Sequence, residues 1–197
     1  MKNRLVLASN SPRRKELLRG LGIDFEVRLI GDIDESYPNG LPANEVPVHI
    51  SKAKAAAYMD TMTENEVILT ADTVVVCDGE ILGKPHDAED ARRMLGLLSG
   101  KSHEVITGVT LSTLQWQRSF AVTTMVWFKE LSADEISFYV DNYRPFDKAG
   151  AYGIQEWIGY VGVQRIEGSY FNVMGLPVQR IYEELKGSFD FLHPFEV

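Results

Sequence analysis

Arg4-Leu5-Val6-Leu7-Ala8-Ser9-Asn10-Ser11-Pro12-Arg13-Arg14-Lys15-Glu16-Leu17-Leu18-Arg19-Gly20-Leu21-Gly22 holds the pattern that sets the fold class. Residues 4–8 are an apolar run that reads as a strand. After a few polar residues a helical pattern runs from Pro12 to about Leu21. Ser11 is its N-cap, Pro12 takes the first helical position and Gly22 is the stop. Leu17, Leu18 and Leu21 form the apolar stripe. A strand running straight into a helix, repeated downstream, is the signature of an α/β architecture.

Working outward, residues 25–30 read as a strand, followed by a loop of turn formers over 31–42. The spacing of Val46, Ile50, Ala53 and Ala57 predicts a helix over 44–58. Residues 67–71 and 73–77 are apolar and β-branched, hence buried strands. Asp78-Gly79 is a hairpin turn. Asp87 caps a helix through Leu98, ended by Gly100. Long strands are predicted over 103–113 and 119–129. Ser132-Ala133-Asp134-Glu135 is a capping box opening a helix to about Tyr143. Residues 150–168 read as irregular and strand segments, and a last helix runs from near Pro177 to Lys186-Gly187.

The 197 residues are 45% hydrophobic and 24% charged, a globular composition without repeats. A net charge of −8 argues against a protein that coats nucleic acid or an anionic membrane. It leaves room for a small anionic ligand in a local basic pocket. The single Cys77 makes neither an internal disulfide nor a multi-cysteine zinc site. The apolar start is too short for a signal-peptide core and no stretch reaches membrane-spanning length, so a cytoplasmic location is expected. His49, His86, His103 and His193 lack metal spacing and read as structural or surface residues. No Walker A loop, G-x-G-x-x-G or G-x-S-x-G occurs.

Several residues look too costly to be only structural. Arg13, Arg14 and Lys15 crowd the first turn of a helix, where each cation opposes the macrodipole at about 0.3–1 kcal/mol. With the free backbone amides and the Ser9 and Ser11 hydroxyls they compose an anion site; the plain alternative is a solvated turn pairing with Glu16. Asp72 interrupts an apolar run, where a carboxylate needs a metal, a cation or a turn to compensate it. Lys84 is held between Gly83 and Pro85, suited to a point charge on a phosphate. Asp32-Ile33-Asp34-Glu35 offers three carboxylates to a hard cation, or is simply a solvated acidic loop. The small residues from Asp147 to Gly153 permit close approach to a ligand. Gln155, just after them, can read a nucleobase edge.

The order of these segments is more specific than any one of them. Ala8-Ser9-Asn10-Ser11-Pro12-Arg13-Arg14, Glu35, Lys54, Ala71-Asp72-Thr73, Gly83-Lys84-Pro85, Thr107-Gly108-Val109, Asp147-Lys148-Ala149-Gly150-Ala151-Tyr152-Gly153-Ile154-Gln155, and Asn172 with Gly175-Leu176-Pro177 resemble the Maf family of nucleoside triphosphate pyrophosphatases. The resemblance runs from about residue 4 to about residue 186. It implies a single domain over 1–197 with a C-terminal tail over 188–197, and an inosine-triphosphatase-like α/β fold. That fold has an elongated mixed sheet, helices on both sides and two lobes with a cleft between them. The Asp147–Gln155 signature resembles the branch acting on dTTP and UTP, with modified pyrimidine nucleotides open as substrates. The resemblance further implies a divalent metal, Mg²⁺ or Mn²⁺, and a homodimer.

Residue by residue, it makes Asp72 the catalytic proton acceptor and links Arg13, Thr73 and Gln155 to substrate choice. Ser9, Arg14, Glu35, Lys54 and Lys84 match other positions of the site. In the chemistry these residues suggest, Ser9, Arg13, Arg14, Lys54 and Lys84 contact phosphate and Glu35 with Asp72 hold the metal, Asp72 alternatively taking the proton directly, two roles the sequence does not separate. Lys52 lies about 200° around the helix from Lys54 and faces elsewhere. One departure stands out: Glu156 follows Gln155 where the family usually has glycine, and a positive φ there would cost about 1–2 kcal/mol. The competing class is a nucleotide-binding regulator of cell division with little turnover, which would require a damaged acidic site. The aromatic tail residues Phe189, Phe191 and Phe195 would cover the core or a partner.

Overall fold

The structure, a computed structural model, describes residues 4–186. β1 (Arg4–Leu7) carries Leu5, Val6 and Leu7 fully buried. It pairs in parallel with β2 (Phe25–Val27) on one side and β3 (Glu66–Cys77) on the other. Parallel neighbours require crossover connections. The first is α1 (Pro12–Arg19), whose N-cap Ser11 accepts the Arg14 N–H and whose Leu17 and Leu18 are buried. The second is α2 (Val46–Ala56), with Val46, Pro47, Ile50, Ser51 and Ala55 buried. Asp78-Gly79, both at positive φ, reverses β3 into antiparallel β4 (Glu80–Leu82). Next come α3 (Ala88–Leu98), capped by Asp87, β5 (Ser102–Ser112) and β6 (Gln117–Phe128). α4 (Ala133–Tyr143) opens with the complete Ser132/Glu135 capping box. The chain continues through α5 (Trp157–Gly162), β7 (Val163–Glu167), α6 (Tyr170–Met174) and α7 (Val178–Lys186). The mixed sheet has the order β2-β1-β3-β5-β6-β7, with β4 on β3. The α/β class expected from the strand–helix alternation is the observed one.

Three expectations change. Asp72 does not break a strand: β3 runs through it for 12 residues. Residues 157–162 are a short helix inside the stretch over 150–168 read as irregular and strand segments, and residues 170–174 are another just beyond it, where no element was expected; glycines at 159, 162, 168 and 175 mask the helical period. β2 ends three residues early. The stop at Gly187 and the tail over 188–197 lie outside the described residues. No helix among the described residues is long and apolar enough to cross a membrane.

The residues sort into two compact units. Of the described residues, the first takes those up to Asp72, Thr107–Val122 and those from Gly175 to Lys186; the second takes Thr73–Ile106 and Thr123–Met174. In the first, Val6, Tyr58 and Ile68 form an apolar cluster with Ile30, Ile33 and Met62 packed on it. The Tyr58 hydroxyl donates to Arg28 O and accepts from Ile30 N–H, so the buried phenol is satisfied. A hydroxyl network joins Thr70, Ser51, Thr110 and Ser119: Thr70 Oγ1 donates to Ser51 O at 2.7 Å, and Ser51 and Thr110 hydroxyls meet at 2.8 Å. Gly108 on β5 lets α2 approach, since a Cβ there would overlap the backbone of Pro47 and Val48. In the second unit, His103 packs edge-on against Phe128 and Tyr152 and shares a 2.7 Å hydrogen bond with the Tyr152 hydroxyl. Burial pushes its pKa down to about 4, so it stays neutral in the core.

Glu66, 1% exposed, begins β3 and would be an isolated buried charge but for Arg4 and Arg28. Hydrogen bonds from Arg28, then from Thr63 N–H and Arg4, hold its carboxyl at about 2, against the opposing effect of burial. A depressed folded pKa contributes stability above the ordinary carboxyl range, lost as pH falls from about 4.5 toward 2. Glu66→Gln should therefore lower stability at neutral pH by on the order of 2–3 kcal/mol. It should also flatten the acid limb between pH about 4.5 and 2 in urea unfolding.

Candidate functional site

In the first unit, the loop between β1 and α1 is built around its hydroxyls. Ser9 Oγ accepts the Ser11 N–H at 3.2 Å and Ser11 Oγ accepts the Arg14 N–H at 3.4 Å. Arg13 stands in the first turn of α1, as the sequence placed it. Arg14 does more than carry charge. Its Nε donates to Gly175 O at 2.8 Å and its Nη1 to Ala71 O at 2.9 Å. Burial lowers its pKa, opposed by Asp72 and Glu35. The guanidinium thus ties the helix start to the residue before Asp72 and to the segment leading into α7.

Asp72 is placed by two periodicities. On β3, Thr70 and Asp72 share a face; on α2, Ser51 and Lys54 share a face. Thr70 bonds to Ser51, and two residues on, Asp72 Oδ1 meets Lys54 Nζ at 2.8 Å. Lys54 also reaches Glu35 Oε1 at 3.1 Å. Asp72 and Lys54 are 14% and 13% exposed, whereas Glu35 is half-exposed, so the Asp72 arm is the stronger of the two. The rest of the acidic loop is arranged differently. Asp34 accepts both the N–H and the hydroxyl of Ser36, which lowers its pKa. Asp32 sits at φ 58 and is exposed. Two carboxylates, Glu35 and Asp72, therefore converge on one cation position. Among the described residues no group of three or more His, Cys, Asp or Glu side chains comes together. A hard cation that keeps waters and substrate oxygens as ligands asks for only one or two carboxylates, which this pair supplies. Lys52 is exposed, as its helical position implied.

The second unit holds the other candidates. Thr73 follows Asp72 on β3. Lys84 is exposed just after β4, and the Gly83 carbonyl before it accepts the Gly150 N–H at 3.0 Å. Gly150 takes φ 66 and packs on Val75, where a Cβ would stand 2.9 Å from Val75 Cγ2. The loop then reaches Gly153, whose N–H donates to the Tyr139 hydroxyl at 3.0 Å. That hydroxyl in turn donates to Glu156 Oε2. Burial first, then the Glu156 hydrogen bond, raises the Tyr139 pKa and keeps it a donor. Lys148, 9% exposed, pairs with Asp147 Oδ1 at 2.8 Å and Glu156 Oε1 at 3.1 Å. Gln155 Oε1 is buried with no hydrogen-bond partner among the described residues. A buried acceptor without a donor costs about 1–3 kcal/mol, an expense that a ligand N–H would remove. Glu156 takes φ −96, so the strain anticipated from replacing a glycine is not incurred.

With this geometry in view, comparison with known proteins decides the family. The sequence profile of the family described as Maf-like protein matches residues 4–188. The chain is a member of the Maf-like protein family. It is 60% identical over 185 residues to the dTTP/UTP pyrophosphatase of Phocaeicola vulgatus, covering 94% of this chain and 96% of that protein. It is 58% identical over 183 residues to the dTTP/UTP pyrophosphatase of Bacteroides fragilis, covering 93% and 95%. The solved nucleoside-triphosphatase / dITP/XTP pyrophosphatase of Mycobacterium abscessus is 14% identical at a TM-score of 0.45, covering 93% of this chain and 95% of that chain.

The structure brings Glu35, Lys54 and Asp72 of this Maf-like protein together and places Ser9, Arg13 and Arg14 around the start of α1. It groups Gln155 with three residues that sequence reasoning gave no role: Tyr139, Lys148 and Glu156. Lys148 lies within the quoted signature and Glu156 is the departure directly after it, but Tyr139 is one aromatic among many and carries no local signal. Asn172 and Gly108, both in the quoted motifs, do structural work: Asn172 Nδ2 bonds Val105 O and Thr124 Oγ1. Arg14→Lys tests the two-carbonyl tie. Lysine keeps the charge but lacks the fork that spans Ala71 O and Gly175 O. A loss of about 1–2 kcal/mol in urea unfolding is expected.

Proposed function

We propose that this chain hydrolyses dTTP and UTP between the α and β phosphates, releasing the monophosphate and pyrophosphate. The observation that carries the proposal is the convergence of Asp72 and Glu35 on Lys54 in the unit that also holds the Ser9–Arg14 anion loop. The names of the Phocaeicola and Bacteroides relatives support it. An intact acidic pair favours turnover over a regulator that only binds nucleotide.

In this mechanism Asp72 takes the proton of the attacking water: Lys54 holds one carboxylate oxygen and leaves Oδ2 for the water. Water attacks the α-phosphorus, the bond to the bridging oxygen breaks, and pyrophosphate leaves. Arg13, the α1 amides and Lys84 balance the phosphate charge, and Lys54 adds to it. Arg14 contributes its positive field while holding the end of Ala71 in place. Alternatively, Asp72 would join Glu35 in holding Mg²⁺ or Mn²⁺, which when bound would polarise phosphate oxygens and lower the pKa of a water ligand. Gln155 reads the base: O4 and N3–H of uracil or thymine match an amide N–H and an amide oxygen. Arg13 and Thr73 are assigned to substrate choice by family resemblance. A homodimer in the cytoplasm completes the proposal.

Pyrophosphate release across the common triphosphates is the deciding assay. Activity should be greatest with dTTP and UTP, vanish in EDTA and return with Mg²⁺ or Mn²⁺. Asp72→Asn should lower kcat by about 10²–10⁴-fold while nucleotide affinity by calorimetry stays within about threefold of the parent. Full turnover in that variant would remove Asp72 from the mechanism.

A further inference from the structure

An amide side chain is a two-faced reader. Its oxygen accepts, its nitrogen donates, and rotation by a half-turn exchanges them at almost no change in shape. Uracil and thymine ask for one orientation. Cytosine, with a lone pair at N3 and an amino group at C4, asks for the reverse. Gln155 by itself therefore discriminates little; the surroundings must make one orientation cheaper.

Three groups crowd the same side of Gly153. A Cβ on residue 153 would stand 3.0 Å from Gln155 Nε2, 3.0 Å from Glu156 Cδ and 3.0 Å from Lys148 Cε. The amide nitrogen, Glu156 Cδ and Lys148 Cε thus surround one point beside Gly153, and the amide oxygen is the buried acceptor without a partner among the described residues. The Glu156 carboxylate is itself immobilised at both oxygens, by the Tyr139 hydroxyl on Oε2 and by Lys148 Nζ on Oε1. Lys148 is matched by Asp147 as well as Glu156. Of the two carboxylates, Glu156 is the chain neighbour of Gln155 and is 21% exposed, whereas Asp147 is 57% exposed. A negative field attracts the N–H₂ end of an amide and repels its oxygen, and it acts strongly where solvent is scarce. The Tyr139 hydroxyl also takes the Gly153 N–H, so the backbone beneath the amide is tied to the same phenol that holds the carboxylate.

We infer that Glu156, braced by Tyr139 and Lys148, is a positioning residue for base selection: it fixes the Gln155 amide with one Nε2 hydrogen on the Glu156 side, the other left for the base carbonyl, and Oε1 presented to an N–H of the base. This inference rests on the base-reading role proposed for Gln155. The ligand class it specifies is a base with a ring imide N–H beside a carbonyl. Bases with a ring lone pair at that position meet oxygen against lone pair.

The test compares kcat/KM for UTP and CTP in the parent, Gln155→Ala, Glu156→Gln, Tyr139→Phe and the double variant Gln155→Ala/Glu156→Gln. Glu156→Gln should lower the UTP/CTP ratio about fivefold to tenfold, mostly by improving CTP. In the Gln155→Ala background the same substitution should leave the ratio unchanged, because there is no amide left to orient. Tyr139→Phe, which removes only the hydroxyl, should shift the ratio in the same direction. It also serves as the test if Glu156→Gln does not fold. Glu156→Asp should restore most of the ratio. If Glu156→Gln or Tyr139→Phe slows both nucleotides equally while Gln155→Ala collapses the ratio, Glu156 is only structural. The inference then falls and the proposed function stands. If Gln155→Ala itself leaves the ratio intact, the base reading fails and the inference with it.

Discussion

A carboxylate in the middle of a 12-residue buried strand has to be compensated, and the contact between Asp72 and Lys54 is the compensation. It fixes the register of α2 against β3. The helix can bring Lys54 to Asp72 only when Ser51, one turn earlier, meets Thr70, two residues earlier on the strand. It also requires the helix to approach closely, which Gly108 permits by having no Cβ to strike the backbone of Pro47 and Val48. The Asp72–Lys54 contact, the hydroxyl network and the glycine are parts of one packing solution. The same ammonium draws Glu35 out of a loop whose other carboxylates are spent locally or exposed.

The arginines at the start of α1 divide along physical lines. A helix N-terminus disfavours both. Arg14 recovers that cost through two backbone carbonyls, one of them the residue beside Asp72. Its charge reaches the site as a fixed part of the fold. Arg13 stands beside it in the same first turn.

In the second unit a different principle operates. The loop from Asp147 to Glu156 is anchored in the core by Ala151, Tyr152 and Ile154 and fastened by polar contacts as well: Gly150 to Gly83, Gly153 to Tyr139, Lys148 to Glu156. Glycines at 150 and 153 are needed because Val75 and the three side chains around residue 153 leave no room for a Cβ. A loop fastened in this way holds the Gln155 backbone in a fixed position.

The alternation of apolar strands and capped helices was legible in the sequence because it depends on local chemistry. Ser11 with Pro12, Asp78-Gly79, Asp87, and Ser132 with Glu135 each satisfy backbone groups within four residues, and each does so in the structure. Asp72 and Arg13 were legible as anomalies, since a charge out of keeping with its neighbours needs no structure to be noticed. The helices at 157–162 and 170–174 were not legible, because glycines dilute their period and packing supplies what propensity lacks. Nor were the partners. That Lys54 bridges Glu35 and Asp72, that Arg14 binds carbonyls 57 and 161 residues away, and that Tyr139 braces Glu156 are long-range pairings. The sequence by itself determined which residues carry costly chemistry and which segments fold locally. Only the tertiary structure decided which charges meet, because burial and distance set the strength of an electrostatic contact, and neither exists until the sheet brings the segments together.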